Sequence, residues 1–261
     1  MMKIDLTGRT ALITGGSRGL GFATARAFAE AGAAVALCAR REAELAEAVA
    51  VINALGKGRA VAVQGDVSRA EEAARIHAAA RAAIGPIDIL VNNAGSSVRG
   101  AFESVTDAQW ENDIELKLMA AVRLCRLVLP DMKERRRGRI LNVVNTLAKT
   151  PGAGSAPTSV VRAAGIALTK VLASEYAPHG ILVNALCVGR IKSDQWDKVR
   201  AREQPQMSLD EYHAHMAKMI PLGRVGEAEE FAALACLLAS DAGGYVTGTA
   251  INVDGGLSPA T

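Results

Sequence analysis

Aromatic side chains are scarce: two tryptophans, three tyrosines and four phenylalanines, 3% of 261 residues. The most basic run, residues 133–139, therefore has no aromatic platforms beside it, unlike the basic grooves of single-stranded nucleic-acid binders. Cysteine is sparse too. Cys38, Cys125, Cys187 and Cys236 stand far apart with no Cys-x-x-Cys pair, and the simplest reading is a reduced, cytoplasmic protein. No apolar run is long enough to span a bilayer, and residues 1–8 lack the apolar stretch of a signal peptide. A large excess of one charge is also missing. The net charge of +3 gives no bulk field for nucleic acid or a membrane surface. The one strongly basic run, residues 133–139, lies where a helix should end, and cations and Gly138 suit such an end.

What remains is abundant in small aliphatics, with half of the residues hydrophobic. Short apolar runs at 10–14, 34–39, 60–64, 87–92, 139–144, 181–186 and 251–253 read as strands. They alternate with helical stretches near 19–31, 42–55, 68–84, 107–135, 157–177 and 226–240. The runs are continuously apolar rather than alternating, as expected for strands covered on both faces. The pattern predicts an α/β fold: one doubly wound parallel sheet of about seven strands, in one domain spanning 1–261. Residues 190–222 break the rhythm. They are polar and charged, carry Trp196, Tyr212, Met216 and Met219, and are expected to form a lid over a site, with small helices. His213 and His215 within it lack the cysteine or carboxylate company of a metal site, and no metal is expected.

The chain's organising element is Thr-Gly-Gly-Ser-Arg-Gly-Leu-Gly at residues 14–21, between the first strand and the first helix. Strand, glycine turn and helix together make a phosphate cradle. Gly15, Ser17, Arg18, Gly19, Leu20 and Gly21 are its candidate residues. Dinucleotide folds place an acid at the end of the second strand to hold the adenosine ribose, but here the chain reads Ala-Arg-Arg at 39–41. Arg40, with Arg18 across the loop, suits a ribose 2′-phosphate, so NADP(H) is expected over NAD(H).

Further motifs follow in order: Asp66-Val67, Asn-Asn-Ala-Gly at 92–95, Trp110, Gly-Ile-Leu-Val-Asn at 180–184, Pro-Leu-Gly-Arg at 221–224 and Val-Asp-Gly-Gly at 253–256. With the glycine turn they resemble the short-chain dehydrogenase/reductase family along nearly the whole chain. The resemblance implies that Asp66 and Val67 hold the adenine, that Asn92, Ala94 and Gly95 line the cofactor, and that Val188 and Gly189 face the nicotinamide. It also implies a homodimer or homotetramer paired through the helices at 107–135 and 157–177.

The family's catalytic set is absent. Its reductases use a Tyr-x-x-x-Lys pair, a serine before it and an asparagine on the long helix. The tyrosine gives the proton while lysine lowers its pKa. None of Tyr176, Tyr212 and Tyr245 has a lysine four residues on. Aligning residues 162–170 to the family's stretch puts Thr158 at the tyrosine place, Arg162 at the lysine place, Asn145 at the serine place and Lys117 at the asparagine place. Pro157 suits the helix start this register requires. A threonine hydroxyl is a far poorer acid than a phenol. Lys117, beside the permanent charge of Arg162, should have a lowered pKa and become a usable acid or base. Two functions stay open: an NADP(H)-dependent oxidoreductase of a carbonyl or alcohol small molecule using Lys117, Asn145, Thr158 and Arg162, or a non-redox protein on the same fold. The second would be a lyase or hydrolase using Lys117, or a silent NADP(H) binder.

Overall fold

The computed structural model describes residues 4–261, with residues 194, 195 and 198 described by backbone alone. In chain order its elements are β1 (Thr10–Thr14), α1 (Gly19–Glu30), β2 (Ala34–Ala39), α2 (Glu42–Asn53), β3 (Arg59–Gln64), α3 (Ala70–Ile84) and β4 (Ile89–Asn92). There follow β5 (Arg99–Gly100), α4 (Asp107–Ile114), α5 (Ala120–Glu134), β6 (Gly138–Asn145), β7 (Ala156–Pro157) and α6 (Thr158–Tyr176). The chain ends with β8 (Ile181–Val188), α7 (Asp194–Glu203), α8 (Leu209–Ala217), α9 (Ala228–Ala239) and β9 (Ala250–Val253).

Seven strands form one parallel sheet in the order β3-β2-β1-β4-β6-β8-β9. The expected doubly wound Rossmann fold is therefore observed. Period-2 alternation sends Ala11 and Ile13 of β1 to the face covered by α1, α2 and α9, and Leu12 to the face covered by α3, α5 and α6. Phe28 and Phe231 are fully buried in the first layer, each stabilising the fold by about 1.5–3 kcal/mol. All four cysteines are buried and free. Among the described residues no helix is long and apolar enough to cross a membrane.

Two features differ from the sequence expectation, and a third, the small helices of the lid segment, agrees with it. The long helix at 107–135 is interrupted: a π-helical turn at Glu115–Met119 joins α4 to α5. Such turns re-aim the residues they carry, here Lys117. A two-stranded antiparallel ribbon, β5 with β7, pairs Arg99 with Pro157 and Gly100 with Ala156. It is too short to leave a periodic trace in the sequence. Residues 190–222 hold two helices, α7 and α8. Ser208 caps α8 in a box with Glu211. Tyr212 and Met216 are buried with Ile220 and Val225 in a small separate cluster, and Met219 is exposed.

Candidate active site

The strand order reverses between β1 and β4, and ligands of open α/β sheets bind outside the carboxyl ends of strands at such a point. There the structure has a cavity of about 710 Å³. The glycine turn after β1 forms one wall. A Cβ added at Gly21 would lie 2.2 Å from the Gly15 carbonyl oxygen and 2.5 Å from Asn93 Nδ2. Only glycine permits this approach of helix to loop. Gly21→Ala should therefore destabilise the protein by about 1–3 kcal/mol, read as a lowered melting temperature and a weakened nucleotide affinity.

Of the sequence-predicted residues, Gly15, Ser17, Arg18, Gly19, Leu20, Arg40, Asp66, Val67, Ala94, Gly95, Asn145, Arg162, Val188 and Gly189 line this cavity. Asn92 does not. Its amide donates to Asn142 Oδ1 (2.9 Å) between β4 and β6. The neighbouring Asn93 lines the wall instead, and its Nδ2 donates to the carbonyls of Thr14 (2.9 Å) and Gly15 (3.1 Å). Gly21 packs behind the wall, against Gly15. At the outer end Asp66 accepts from Ser68 N–H and Oγ–H, and Arg40 reaches within 3.8 Å of it.

At the inner end four groups converge beneath Gly95. Arg162 is deeply enclosed yet open to the cavity. It donates to the Val143 carbonyl (2.7 Å), and a Cβ at Gly95 would meet its Nη2 at 2.9 Å. Lys117 and Thr158 do not line the cavity; they lie one layer below it. The Lys117 ammonium is ion-paired with Asp113 and donates to Thr158 Oγ1 at 2.8 Å. Thr158 Oγ1 also accepts from Val98 N–H (3.2 Å). The side chains of Lys117 and Asp113 are 3% and 1% exposed, so this ion pair is a buried one. Burial, then the charge of Arg162, lower the Lys117 pKa from its ordinary value to about 8, against the pull of Asp113. Burial lowers Arg162 to about 10, with Asp113 opposing. Asp113 escaped the sequence reading although it stands four residues before Lys117 on one helix face, because such pairs are common on solvated faces.

The cavity fits a dinucleotide. A phosphate cradle stands at a helix N-terminus, arginines stand where a ribose phosphate would lie, and Asn145 Oδ1 and Arg162 Nε are buried without hydrogen-bond partners at the inner end. Sheet, switch point and cradle together define a doubly wound, dinucleotide-binding protein. The family model described as enoyl-(acyl carrier protein) reductase matches residues 15–258. An acetoacetyl-CoA reductase of Shinella zoogloeoides is 35% identical over 248 residues, covering 95% of this chain and 98% of its own. L-sorbose reductase from Gluconobacter frateurii, solved with NADPH and L-sorbose, superposes with a TM-score of 0.94 at 32% identity, over 100% of both chains. A short chain oxidoreductase from Pseudomonas aeruginosa PAO1, described as containing an atypical catalytic center, superposes at 0.91 with 36% identity, over 98% of this chain and 100% of that one. The chain belongs to the short-chain dehydrogenase/reductase family, among its 3-oxoacyl-ACP-reductase-like members.

Proposed function

We propose that the chain is an NADPH-dependent reductase of a small carbonyl compound, with Lys117 as the source of the proton. One observation carries the reading: the Lys117 ammonium is hydrogen-bonded to the hydroxyl of Thr158, the residue at the tyrosine place. NADPH, when bound, supplies the hydride. Thr158 Oγ1 accepts from Val98 and Lys117, which leaves its own proton free to be donated. That proton passes upward, through one water, to the substrate oxygen, and Lys117 replaces it and becomes a neutral amine. General acids within one water of the reacting oxygen act in this way. Asn145, at the cavity wall, orients the oxygen, and Arg162 holds the nicotinamide ribose.

Arg18, Arg40 and Arg41 at the other end support NADP over NAD, as do relatives solved with NADPH. Arg40→Ala should weaken NADPH by roughly tenfold to a hundredfold and leave NADH nearly unchanged, as a lost charge-assisted contact would. Fluorescence titration of both nucleotides checks it. Of residues 190–222, Arg190, Ile191, Ser193 and Trp196 line the cavity, which supports the reading of this segment as a lid. Exposed Val160 and Val171 on α6 support a homodimer or homotetramer.

A second reading, an NADP(H) binder without turnover, draws on the burial of Thr158, which is 0% exposed. Transfer of deuterium from 4-deuterated NADPH to ketones, aldehydes and imines separates the two. Labelled alcohol or amine supports the reductase. NADPH binding with no labelled product from any compound supports the silent binder.

A further inference from the structure

The cavity's charges do not balance. Among its described lining residues Asp66 is the one acid, against Arg18, Arg40, Arg41, Arg99, Arg162 and Arg190. The first three stand at the adenosine end. Arg162 sits on the floor, bonded to Val143. That leaves Arg99 and Arg190, for neither of which an ion pair is seen among the described residues.

Two separate parts of the fold bring them together. Arg99 lies on the β5–β7 ribbon, opposite Pro157 and one residue after Val98, whose N–H binds Thr158. Arg190 follows Gly189 at the end of β8, held by Gly226 N–H to its carbonyl (3.0 Å), with its guanidinium 5.3 Å from the ring centre of Trp196. The two guanidiniums flank the inner end. Both line the same cavity, and burial lowers the Arg190 pKa, with Tyr212 opposing and the Arg99 charge adding to the fall. Like charges that line one cavity, Arg99 exposed and Arg190 half-buried, repel, and an anion bound between them removes that repulsion.

We propose that Arg99 and Arg190 form a pincer for an oxyanion on the substrate, so that the compound reduced is an anionic oxo compound, a carboxylate or a phosphate ester. This rests on the reading of the same cavity as a reductase site. The arginines contribute binding and orientation. Hydride, proton and electron flow stay as described above.

Matched pairs test it: 5-oxohexanoate against its methyl ester, and dihydroxyacetone phosphate against dihydroxyacetone. NADPH oxidation by the wild type should favour one anionic member by at least about tenfold in kcat/KM, the size of one charged hydrogen-bond contact. The pair that shows the preference names the oxyanion. Arg99→Met and Arg190→Met should each bring that ratio toward one, and Arg190→Lys should restore part of it. NADPH titration of every variant checks that the nucleotide site is intact. Turnover of the neutral members as fast as the anionic ones overturns the pincer and leaves the reductase standing. The converse is separate: no turnover, but calorimetric binding of 5-oxohexanoate or dihydroxyacetone phosphate to the NADP⁺ complex that both Met variants abolish, supports the pincer and removes the reductase. Binding that neither variant weakens overturns the pincer.

Discussion

Asp113→Ala should lower the melting temperature more than any other single substitution at the inner end of the cavity. Asp113 is the carboxylate paired with Lys117, and its charge also acts on Arg162. Removing it leaves two buried cations facing each other. Breaking a buried ion pair from one side costs about 3–5 kcal/mol. At this chain length each kcal/mol is worth roughly 2–4 °C, so calorimetry should show a fall of roughly 6–20 °C. The double variant Asp113→Leu with Lys117→Met should recover most of the loss, because it removes both charges rather than stranding one. Recovery distinguishes an electrostatic role from simple packing. A fall of under two or three degrees would show that Lys117 does not depend on Asp113. The same variant carries a pH signature. Asp113 is what holds the Lys117 pKa up against burial and Arg162, so without it the titration of Lys117 should move below about 8.

Loss of the Lys117 amine should be the largest effect on rate. Lys117→Met is expected to lower kcat by at least about a hundredfold, the usual range for a general acid, with NADPH affinity nearly unchanged because Lys117 does not line the cavity. Lys117→Arg is the sharper variant. It keeps a cation for Asp113 but holds its proton at any ordinary pH. It should fold like the wild type and be as slow as Lys117→Met. The pH profile follows from the sign of the shift. The donor is the protonated lysine, so the wild-type rate should be level below about 8 and fall as pH rises through it. A rate that keeps its level above pH 9, or an active Lys117→Arg, removes Lys117 from the chemistry.

Much of this fold can be read directly from the residues. Seven continuously apolar runs became seven strands because a strand covered on both faces needs no polar alternation. The run at 87–92 starts later than expected. Asp88 is spent on β1, where its carboxylate accepts from Thr10 N–H, and the strand begins at Ile89. The start of α6 at Thr158 follows from Pro157. The lid segment is expected to hold small helices but its sequence pattern does not bound them; in the structure the capping box of Ser208 with Glu211 starts α8. The π-helical turn at Glu115–Met119 has no residue signature of its own, so the orientation of Lys117 could not be read from spacing. Nor could the nearness of Arg99 and Arg190. They are brought together by the ribbon and the end of β8, and nothing local to either position encodes the other.

Asn93 has a consequence for how the protein comes apart. Its side chain ties the carbonyls of Thr14 and Gly15, and its backbone N–H and that of Ala94 both donate to Thr14 Oγ1 at 3.0 Å. The crests of the two central strands are thereby laced into one unit. Neither should fray while the other stays closed, and the nucleotide cradle is then expected to open only with the sheet's centre. Exchange of these amides with solvent should track opening of the sheet's centre. A bound dinucleotide should then slow exchange along β1 and β4 together, and the cradle should be among the last parts of the chain to yield to denaturant.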